Sequence, residues 1–269
     1  MPRCQGAPAL PAAAHVFVDE ISPCGTDLVE LETRDAHHLA DVMRLREGEI
    51  VTASDGRGSW RRFIYRAGAP APTRSREPVR YAAALEVAGP VVFVQAPQPP
   101  VTVGFSLLKG DRNEWVVQKL TELGVDRIVP LVARRTIVRW DDVKSSRQMK
   151  RLASVMRDAA MQSRRAWLPK LDEPEHVTAA AEMMSCRGGG VAMLERGGGP
   201  LSLDAPSVLV GPEGGWSPEE IELALPLVAA GDGVLRAETA AISAASILCG
   251  LRAQIIALDP PSPAARVPL

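Results

Sequence analysis

The sequence predicts an α/β protein of two domains, in which a small β-rich domain precedes one with a mainly parallel sheet. Three observations predict this fold class. The first half of the chain alternates short β-favouring runs with turns, a proline cluster follows at 97–100, and the second half alternates apolar strands with amphipathic helices. Alternation of that kind places helices on both faces of a parallel sheet. With 269 residues and 46% hydrophobic residues, the chain can bury a substantial core.

The N-terminal stretch MPRCQGAPALPAAAHVF is rich in alanine and proline and lacks the continuous apolar run of a signal peptide. We predict a disordered tail over residues 1–13. A run of about 18 apolar residues, which a membrane-spanning helix needs, does not occur. The four cysteines are far apart, without a C-x-x-C pair. Their spacing indicates neither a zinc site nor a disulfide framework, and favours reduced thiols in a cytoplasmic protein.

The first domain, predicted over 14–95, has the pattern of a small barrel with one helix. AHVFVD is typical of a strand, and EIVTASDGRGSWRRFIYRA of a hairpin that turns at 55–58. Between these two stretches, TRDAHHLADVMRLREGE predicts a helix. We expect the apolar side of that helix to hold Leu39, Val42, Met43 and Leu45.

The second domain, predicted over 96–269, alternates strands and helices. VTVGFSLL, RIVPLVA, VAMLE, SVLV and GVLR are its predicted strands. DRNEWVVQKLTELGV predicts a helix that ends at Gly124, and SPEEIELALPLVAA and TAAISAASILCGLRAQIIAL predict two more. In the long helix SSRQMKRLASVMRDAAMQSRR, the positions expected to face inward are Met149, Leu152, Met156 and Ala160.

The net charge of −1 conceals two basic tracts and one acidic tract. Residues 134–170 hold eleven Lys/Arg against three Asp/Glu, and residues 57–80 hold seven Arg against one Glu. Residues 195–238 reverse this balance, with eight acids against two Arg. Basic tracts of this size can neutralise the phosphates of a nucleic acid. The alternative is a solvated helix face and a basic loop.

Common nucleotide and hydrolase fingerprints are missing from the sequence. It has no G-x-x-x-x-G-K-[ST], no G-x-S-x-G and no H-E-x-x-H, which leaves a P-loop enzyme, a triad hydrolase and a metal site without support. The nearest match to the dinucleotide fingerprint, GDGVLRA, lacks the third glycine and precedes a predicted strand rather than a helix.

Two loops in the second half of the chain are the remaining candidates for a ligand-binding site. In VLVGPEGGWSPEEIELA, a buried strand ends in GPEGG, and a helix then begins with a capping box formed by Ser217 and Glu220. Glycines let the backbone approach a ligand at the carboxyl end of a strand, where open α/β sheets bind ligands. A second loop, GVLRAETAAISAAS, follows about twenty residues later. Taken alone, the first loop is also explained as a tight strand–helix turn, and the second as a salt-bridged helix cap.

Together these loops resemble the paired signature of the SPOUT methyltransferase superfamily, whose C-terminal trefoil knot binds S-adenosylmethionine. AHHLADVMRLREGE, LLKGDRNEWVVQKLTELGV and AAMQSRRAWLP are similar to motifs of the bacterial 16S rRNA (uracil-N3)-methyltransferase family. The resemblance covers nearly the whole chain after the tail. Ala237 departs from it, since family members commonly have Thr there, and Trp216 stands where a smaller or phenylalanine-like apolar residue is usual.

The resemblance implies a PUA-like RNA-binding barrel over 14–95 and a SPOUT knotted domain over 96–269. It also implies methylation of uridine N3 in 16S ribosomal RNA of the small subunit, with S-adenosylmethionine as cofactor, a homodimer and no metal. Two other readings stay open: a knotted methyltransferase for another RNA, such as tRNA or large-subunit rRNA, and a non-catalytic RNA-binding assembly factor.

Several residues are assigned from the resemblance. Arg236 is expected to stabilise the uracil anion and Glu238 to orient Arg236, although such a pair is often structural; whether Glu213 contacts substrate or only organises its loop is left open. The expected cofactor-binding residues are Leu194, Glu195, Val210, Gly211, Pro212, Glu213, Gly214, Gly215, Leu235, Arg236, Glu238 and Thr239. The expected RNA contacts are His38, Arg44, Arg57, Arg61, Arg62, Gln162, Ser163, Arg164 and Arg165. The last helix suits either a dimer interface or ordinary core packing through Ala240, Ala241, Ala244 and Ala245.

Overall fold

A computed structural model describes residues 12–22, 27–68 and 83–257, and the chain divides into two compact units. The first unit comprises Met1–Ala96 and Arg157–Leu168, and the second comprises Pro97–Met156 and Pro169–Leu269. The division at Ala96 lies beside the predicted boundary, whereas Arg157–Leu168 had been predicted with the second domain. All but the last two residues of the predicted tail fall outside the described residues.

The first unit contains one sheet of six strands. Its strands are β1 (Ala14–Phe17), β2 (Leu28–Glu30), β3 (Ile50–Ser54), β4 (Ser59–Arg66), β5 (Ala84–Val87) and β6 (Val92–Phe93). The order is β1-β3-β4-β5-β2, with β6 on β4, and only the β1–β3 pair is parallel. The predicted hairpin is confirmed as β3–β4. No pairing of β1 with β2 closes the sheet within the described residues, so a barrel stays a prediction.

The helical insert of the first unit has two parts. Helix α1 (Thr33–His37) continues into a π-helical turn (His38–Val42), in which the Met43 amide donates to the His38 carbonyl over 2.9 Å. Leu39 is buried as predicted, but Val42 and Met43 are exposed, so the predicted apolar side is wrong there. The wider turn explains the error, because it rotates later side chains away from the 3.6-residue period on which the prediction relied.

The second unit contains a parallel sheet, which confirms the predicted class. Its strands are β7 (Thr102–Ser106), β8 (Arg127–Val132), β9 (Lys170–Leu171), β10 (Glu175–His176), β11 (Val191–Pro200), β12 (Ser207–Val210) and β13 (Leu227–Ala229). The order is β10-β8-β7-β12-β11-β13, and β9 also pairs with β8. Strands β7 and β12 are buried along their whole length, as expected for strands covered on both faces.

Five helices complete the fold: α2 (Arg112–Leu123), α3 (Asp142–Gln162), α4 (Val177–Ser185), α5 (Pro218–Ile221) and α6 (Ala237–Arg252). Helix α2 ends at Gly124 in the left-handed conformation, as predicted. The four inward positions predicted for α3 are buried. Helix α6 packs against α2, β7 and β12 and buries all four of its predicted small residues within the chain, so core packing accounts for them.

Two predicted elements after β12 are wrong. The stretch SPEEIELALPLVAA is helical only over Pro218–Ile221, and its end forms the parallel strand β13. Pro226 explains this, because it lacks an amide hydrogen and disfavours helical geometry in the residue before it; Ala224 has already turned to a φ of 52°. GVLR forms no strand, and Val234 is exposed in a loop.

No helix among the described residues is long and apolar enough to cross a membrane. Neither of the two described cysteines, Cys186 and Cys249, forms a disulfide bond within the described residues.

A buried histidine connects three segments of the first unit. The ring of His15 lies between the Thr52 hydroxyl, 2.9 Å from Nδ1, and the Arg165 carbonyl, 3.1 Å from Nε2. The carbonyl can only accept, so the neutral ring carries its hydrogen on Nε2 and accepts from Thr52 at Nδ1. Burial lowers the pKa of His15 from 6.5 to about 4.

This pKa predicts that acid destabilises the first unit through His15. The folded pKa lies below the unfolded one, so the stabilisation is complete above pH 6.5 and is lost as the pH falls toward 4, by roughly 3 kcal/mol in total. The variant His15→Gln keeps an amide donor for Arg165 but cannot titrate. We expect the variant to be less stable at pH 7 and to show a flatter dependence of unfolding free energy between pH 7 and 4.

Denaturant unfolding at a series of pH values checks this, with the exposed His176 replaced by Gln as the matched control. A His15→Gln curve as steep as that of the unchanged protein would contradict the assignment.

Candidate active site

A cavity of about 240 Å³ opens at the carboxyl end of β12 and beside the middle of β11. The two strands are parallel with Leu194 opposite Val210; β12 ends there, whereas β11 passes through an irregularity after Leu194 and then pairs with β13. The loop before α6 closes the cavity from another direction through Gly231, Val234 and Leu235. Three separate chain segments therefore meet at one edge of the sheet, where parallel α/β sheets bind their ligands.

The structure brings most of the predicted cofactor residues to this cavity. Those that line it are Leu194, Glu195, Val210, Gly211, Pro212, Glu213, Gly215 and Leu235. Gly214, Arg236, Glu238 and Thr239 are not among its lining residues. The sequence did not predict the remaining lining residues, which are Arg196, Trp216, Ala229–Gly231, Gly233, Val234, and Ala237 and Ala240 of α6.

The GPEGG loop is fixed at both ends. At its start, the Ser106 hydroxyl of β7 donates to the Val210 carbonyl over 3.2 Å. At its end, the predicted capping box is confirmed: the Ser217 hydroxyl accepts from the Glu220 amide, and the Glu220 carboxylate accepts from the Ser217 amide over 2.8 Å. The other Glu220 oxygen accepts from the Arg134 amide over 2.9 Å. This buried carboxylate thus connects the loop to the end of β8.

Trp216 explains why the loop begins with glycine. Its buried indole donates from Nε1 to the Leu194 carbonyl over 3.1 Å. A Cβ placed on Gly211 would lie 2.9 Å from the indole ring, closer than real contacts allow. Gly215 is the residue of GPEGG that adopts a positive φ, at 70°. Gly211 is therefore needed for the packing of Trp216 itself, and the indole holds Leu194 of β11 beside the cavity.

Arg112, the first residue of α2, joins the two cofactor loops. Its Nη1 lies 3.3 Å from Oε1 of Glu213 and 3.4 Å from Oε1 of Glu238. The Glu238 side chain is only 9% exposed, so the pairing with Arg112 offsets the burial of its charge. The sequence singles out the KGDRNEW stretch, which contains Arg112, as part of a family motif. No local pattern indicates that Arg112 contacts Glu213 and Glu238.

The predicted contact between Arg236 and Glu238 is not among the ion pairs of the described residues, where Glu238 is paired with Arg112. Arg236 is exposed at the N-terminal end of α6. The roles assigned to both residues stay predictions.

A second arginine supports the loop from β8. Arg135 donates from Nη1 to the Gly214 carbonyl over 3.0 Å, and its side chain packs against Gly214. Arg112 and Arg135 come from different segments, yet both contact the GPEGG loop.

The predicted RNA contacts fall into two groups. Arg44, Arg57, Arg62 and Gln162 are exposed, and His38 is half-buried. The remaining four donate to backbone carbonyls of their own unit and thereby hold local structure: Arg61 to Gly89, Ser163 to Ala159, Arg164 to Ala12 and Arg165 to Trp167. Over the described part of the chain, no group of three or more His, Cys, Asp or Glu side chains is arranged to hold a metal ion.

Comparisons with family models match both halves of the chain. Residues 95–249 match the model of an RNA methyltransferase domain, and residues 31–67 match that of an RNA methyltransferase PUA domain. The first match covers more than half of the chain.

Relatives and solved structures agree with these matches. Ribosomal RNA small subunit methyltransferase E of Mycobacterium bovis is 30% identical over 240 residues, which is 84% of this chain and 87% of the relative. The protein of the same name from Bacillus subtilis is 27% identical and matches over 80% of this chain and 86% of its own. A protein from Legionella pneumophila, solved in complex with SAM as bound cofactor, is 26% identical with a TM-score of 0.74, covering 90% of this chain and 98% of that one.

The bridge formed by Arg112 predicts a joint loss of stability and cofactor affinity. In Arg112→Ala, Glu238 loses its cation while still buried, which we expect to lower the unfolding free energy by about 1–3 kcal/mol. Affinity for S-adenosylmethionine should fall several-fold, because Glu213 and Glu238 are no longer held together. Arg112→Lys should recover part of both losses, since it keeps the charge but not the forked reach.

Thermal unfolding and calorimetric titration with S-adenosylmethionine measure the two effects. Lys119→Ala is the control, because it removes a Lys119–Glu122 pair from the same helix, away from the cavity. Unchanged cofactor affinity in Arg112→Ala would show that the bridge does not organise the site.

Proposed function

We propose that this chain methylates uridine N3 in 16S ribosomal RNA. The premise is its family, because the chain belongs to the RNA methyltransferase family that includes the ribosomal RNA small subunit methyltransferase E proteins. S-adenosylmethionine would be the methyl donor and the small ribosomal subunit the substrate, which implies action in the cytoplasm. One observation carries the proposal: loops that are distant in the sequence, and that the sequence motifs assign to the cofactor, line a single cavity.

The residues of the cavity suit this cofactor. Its apolar walls, which include Val210, Leu235 and Ala240, can take an adenine ring. Backbone groups of β11 after Leu194 and of the loop after β12 can hydrogen-bond the ring edge and the ribose, because glycines keep the approach open in that loop. The carboxylates of Glu195 and Glu213 at the same cavity suit the positive charge of a sulfonium.

S-adenosylmethionine supplies an electrophilic methyl group on its sulfonium. In the transfer, a bond forms from uracil N3 to the methyl carbon, the carbon–sulfur bond breaks, and the N3 proton leaves to a base or to water. The protein must hold the nucleobase in line with the methyl group and stabilise the negative charge that develops on the uracil. We assign that charge stabilisation to Arg236, which is exposed beside the cavity residue Leu235 and has no ion pair among the described residues.

RNA contacts are proposed at the exposed side chains of the first unit, Arg44, Arg57 and Arg62, with His38 and Gln162. Cations of this kind bind phosphates without reading sequence. Arg61, Ser163, Arg164 and Arg165 remain proposed contacts whose hydrogen bonds to carbonyls also position the neighbouring backbone.

We further propose that the first unit is a PUA-like barrel, that the second unit is knotted and that the protein is a homodimer. Support for the knot comes from the chain path, because the chain leaves the outer strand β13 and returns as α6 to pack against β7 and β12 in the middle of the sheet. Support for the dimer comes from exposed apolar side chains near the cavity, Val234 and Leu235, with Ile255 beyond α6.

The decisive experiment is methyl transfer from labelled S-adenosylmethionine to small ribosomal subunits from a strain that lacks this enzyme, followed by nucleoside analysis. We expect N3-methyluridine at one site of the 16S RNA. Transfer to tRNA or large subunits instead would change the substrate but keep the reaction. Cofactor binding without methyl transfer to any of these would indicate that the substrate is another RNA. Absence of both cofactor binding and methyl transfer would favour a non-catalytic assembly factor.

The role of Arg236 has its own test. Arg236→Ala should reduce turnover by about a hundredfold or more, because it removes a cation from the developing charge. Cofactor affinity should stay within a few-fold, since the cavity is lined by the backbone and by other side chains. Turnover equal to that of the unchanged protein would end this assignment.

A further inference from the structure

A second groove, of about 570 Å³, lies in the same unit as the cofactor cavity and is not lined by any residue of that cavity. We call it the α2–α3 groove and define it by three walls: Lys109–Asp111 with the start of α2, the segment 137–140, and the first half of α3. On α3 the residues Lys144, Gln148 and Arg151 line it, at the spacing of one helix face.

The α2–α3 groove carries an excess of positive charge. It holds the cations Lys109, Arg139, Lys144 and Arg151 and the acids Asp111 and Glu114. Arg151 lies 2.7 Å from Glu114, so that pair neutralises itself. The side chains of Lys109 and Arg139 are exposed, and neither has an ion pair among the described residues. Three cations against one acid remain available to an anionic ligand.

Apolar and aromatic surface alternates with these cations. Trp140 is half-buried in the wall of the groove, and Ile137 beside it is 78% exposed. Aromatic faces among cations are the arrangement that single-stranded RNA requires, because bases stack on the rings while cations follow the phosphates. Double-stranded RNA, whose bases are already stacked, would use the cations but not the indole.

Both walls of the groove lead to the cofactor cavity. Arg112 stands between the groove residues Asp111 and Asn113 and contacts Glu213 of the cavity. Arg135 comes two residues before Ile137 and donates to the Gly214 carbonyl. The GPEGG loop is thus contacted by residues next to each of these two walls.

The floor of the groove is rigid. Asn113 is buried, accepts from the Leu108 amide over 2.9 Å and donates to the Leu108 carbonyl over 2.7 Å. This pair of hydrogen bonds fixes the position of Lys109 relative to α2. A preformed site loses less conformational entropy on binding than one that must be ordered.

We propose that the α2–α3 groove binds the single-stranded segment of substrate RNA next to the target uridine and directs that nucleotide to the cofactor cavity. Lys109, Arg139 and Lys144 bind phosphates, and Trp140 stacks on a base. This inference rests on the proposed function for the identity of the RNA, but not for the binding itself. It adds a contact surface in the second unit to the arginines already assigned in the first.

Binding of a fluorescein-labelled oligouridylate, measured by anisotropy over a series of salt concentrations, tests the groove. In Lys109→Ala with Arg139→Ala, we expect about tenfold weaker binding and a slope of log K against log salt that is smaller by about 1 to 1.5. Trp140→Ala should weaken binding by roughly tenfold without changing the slope, and Trp140→Phe should recover most of the affinity.

Two controls separate binding from folding. Calorimetric affinity for S-adenosylmethionine should be unchanged in all these variants, because the altered residues do not line the cofactor cavity. Arg187→Ala removes an exposed arginine beyond α4, outside the groove, and should leave affinity and slope unchanged. Equal losses in Arg187→Ala and in the double variant would overturn the proposal, and so would unaltered binding in both groove variants.

Methyl transfer to small ribosomal subunits links the groove to catalysis. In the double variant KM for subunits should rise about tenfold, whereas turnover at saturating subunits should hold. Absence of transfer by the unchanged protein would contradict the proposed function alone, because oligouridylate binding still reports on the groove. A normal KM in the double variant of an active enzyme would contradict the groove alone.

Discussion

The in-register parallel pairing of β7, β12 and β11 is the constraint on which the site depends. Val210 lies opposite Leu194 on one side and Phe105 on the other, so β7 and β12 end at the same edge, beside the irregularity that follows Leu194 in β11. Every chain that leaves a parallel strand must do so at its carboxyl end, which gathers loops from distant parts of the sequence at one place. A strand register shifted by one residue would reverse the side chains of β12 and change the position of the GPEGG loop relative to Leu194 of β11.

A loop composed largely of glycine and proline cannot hold itself in place, so its neighbours supply the contacts. Ser106 and the capping box fix its ends, Trp216 packs on its first glycine, and two arginines bind its middle. The Arg112 contacts are long, at 3.3 to 3.5 Å, and Arg112 is partly exposed. The bonds orient the loop, and Arg112 contributes to stability mainly because its charge offsets the burial of the Glu238 carboxylate.

Arginines serve two different purposes in this protein. Arg61, Arg164 and Arg165 donate to carbonyls, and Arg157 forms a paired contact with the buried carboxylate of Asp35. Such arginines stabilise local structure, as multiple donors in a planar fork allow. Arg139 and Arg236 instead remain exposed in the second unit, as does Lys109. The net charge of −1 says nothing of this division, because only the folded chain decides which cations already have partners.

The sequence by itself determined the fold class, the hairpin and the capping box, because each follows from local periodicity or from residues a few positions apart, whereas the loops of the cavity were assigned through the resemblance to a known family. It failed at Val42, where a π-helical turn changes the period, and at β13, where Pro226 ends a helix that the composition favours. Tertiary structure alone decided that Arg112 would reach Glu213 and Glu238, which lie 101 and 126 residues away. It also decided that Trp216 would fill the space beside Gly211 and that Arg164 would donate a hydrogen bond to the Ala12 carbonyl. Such contacts depend on how strands and helices pack in space, and a local pattern of residues does not encode which distant segments become neighbours.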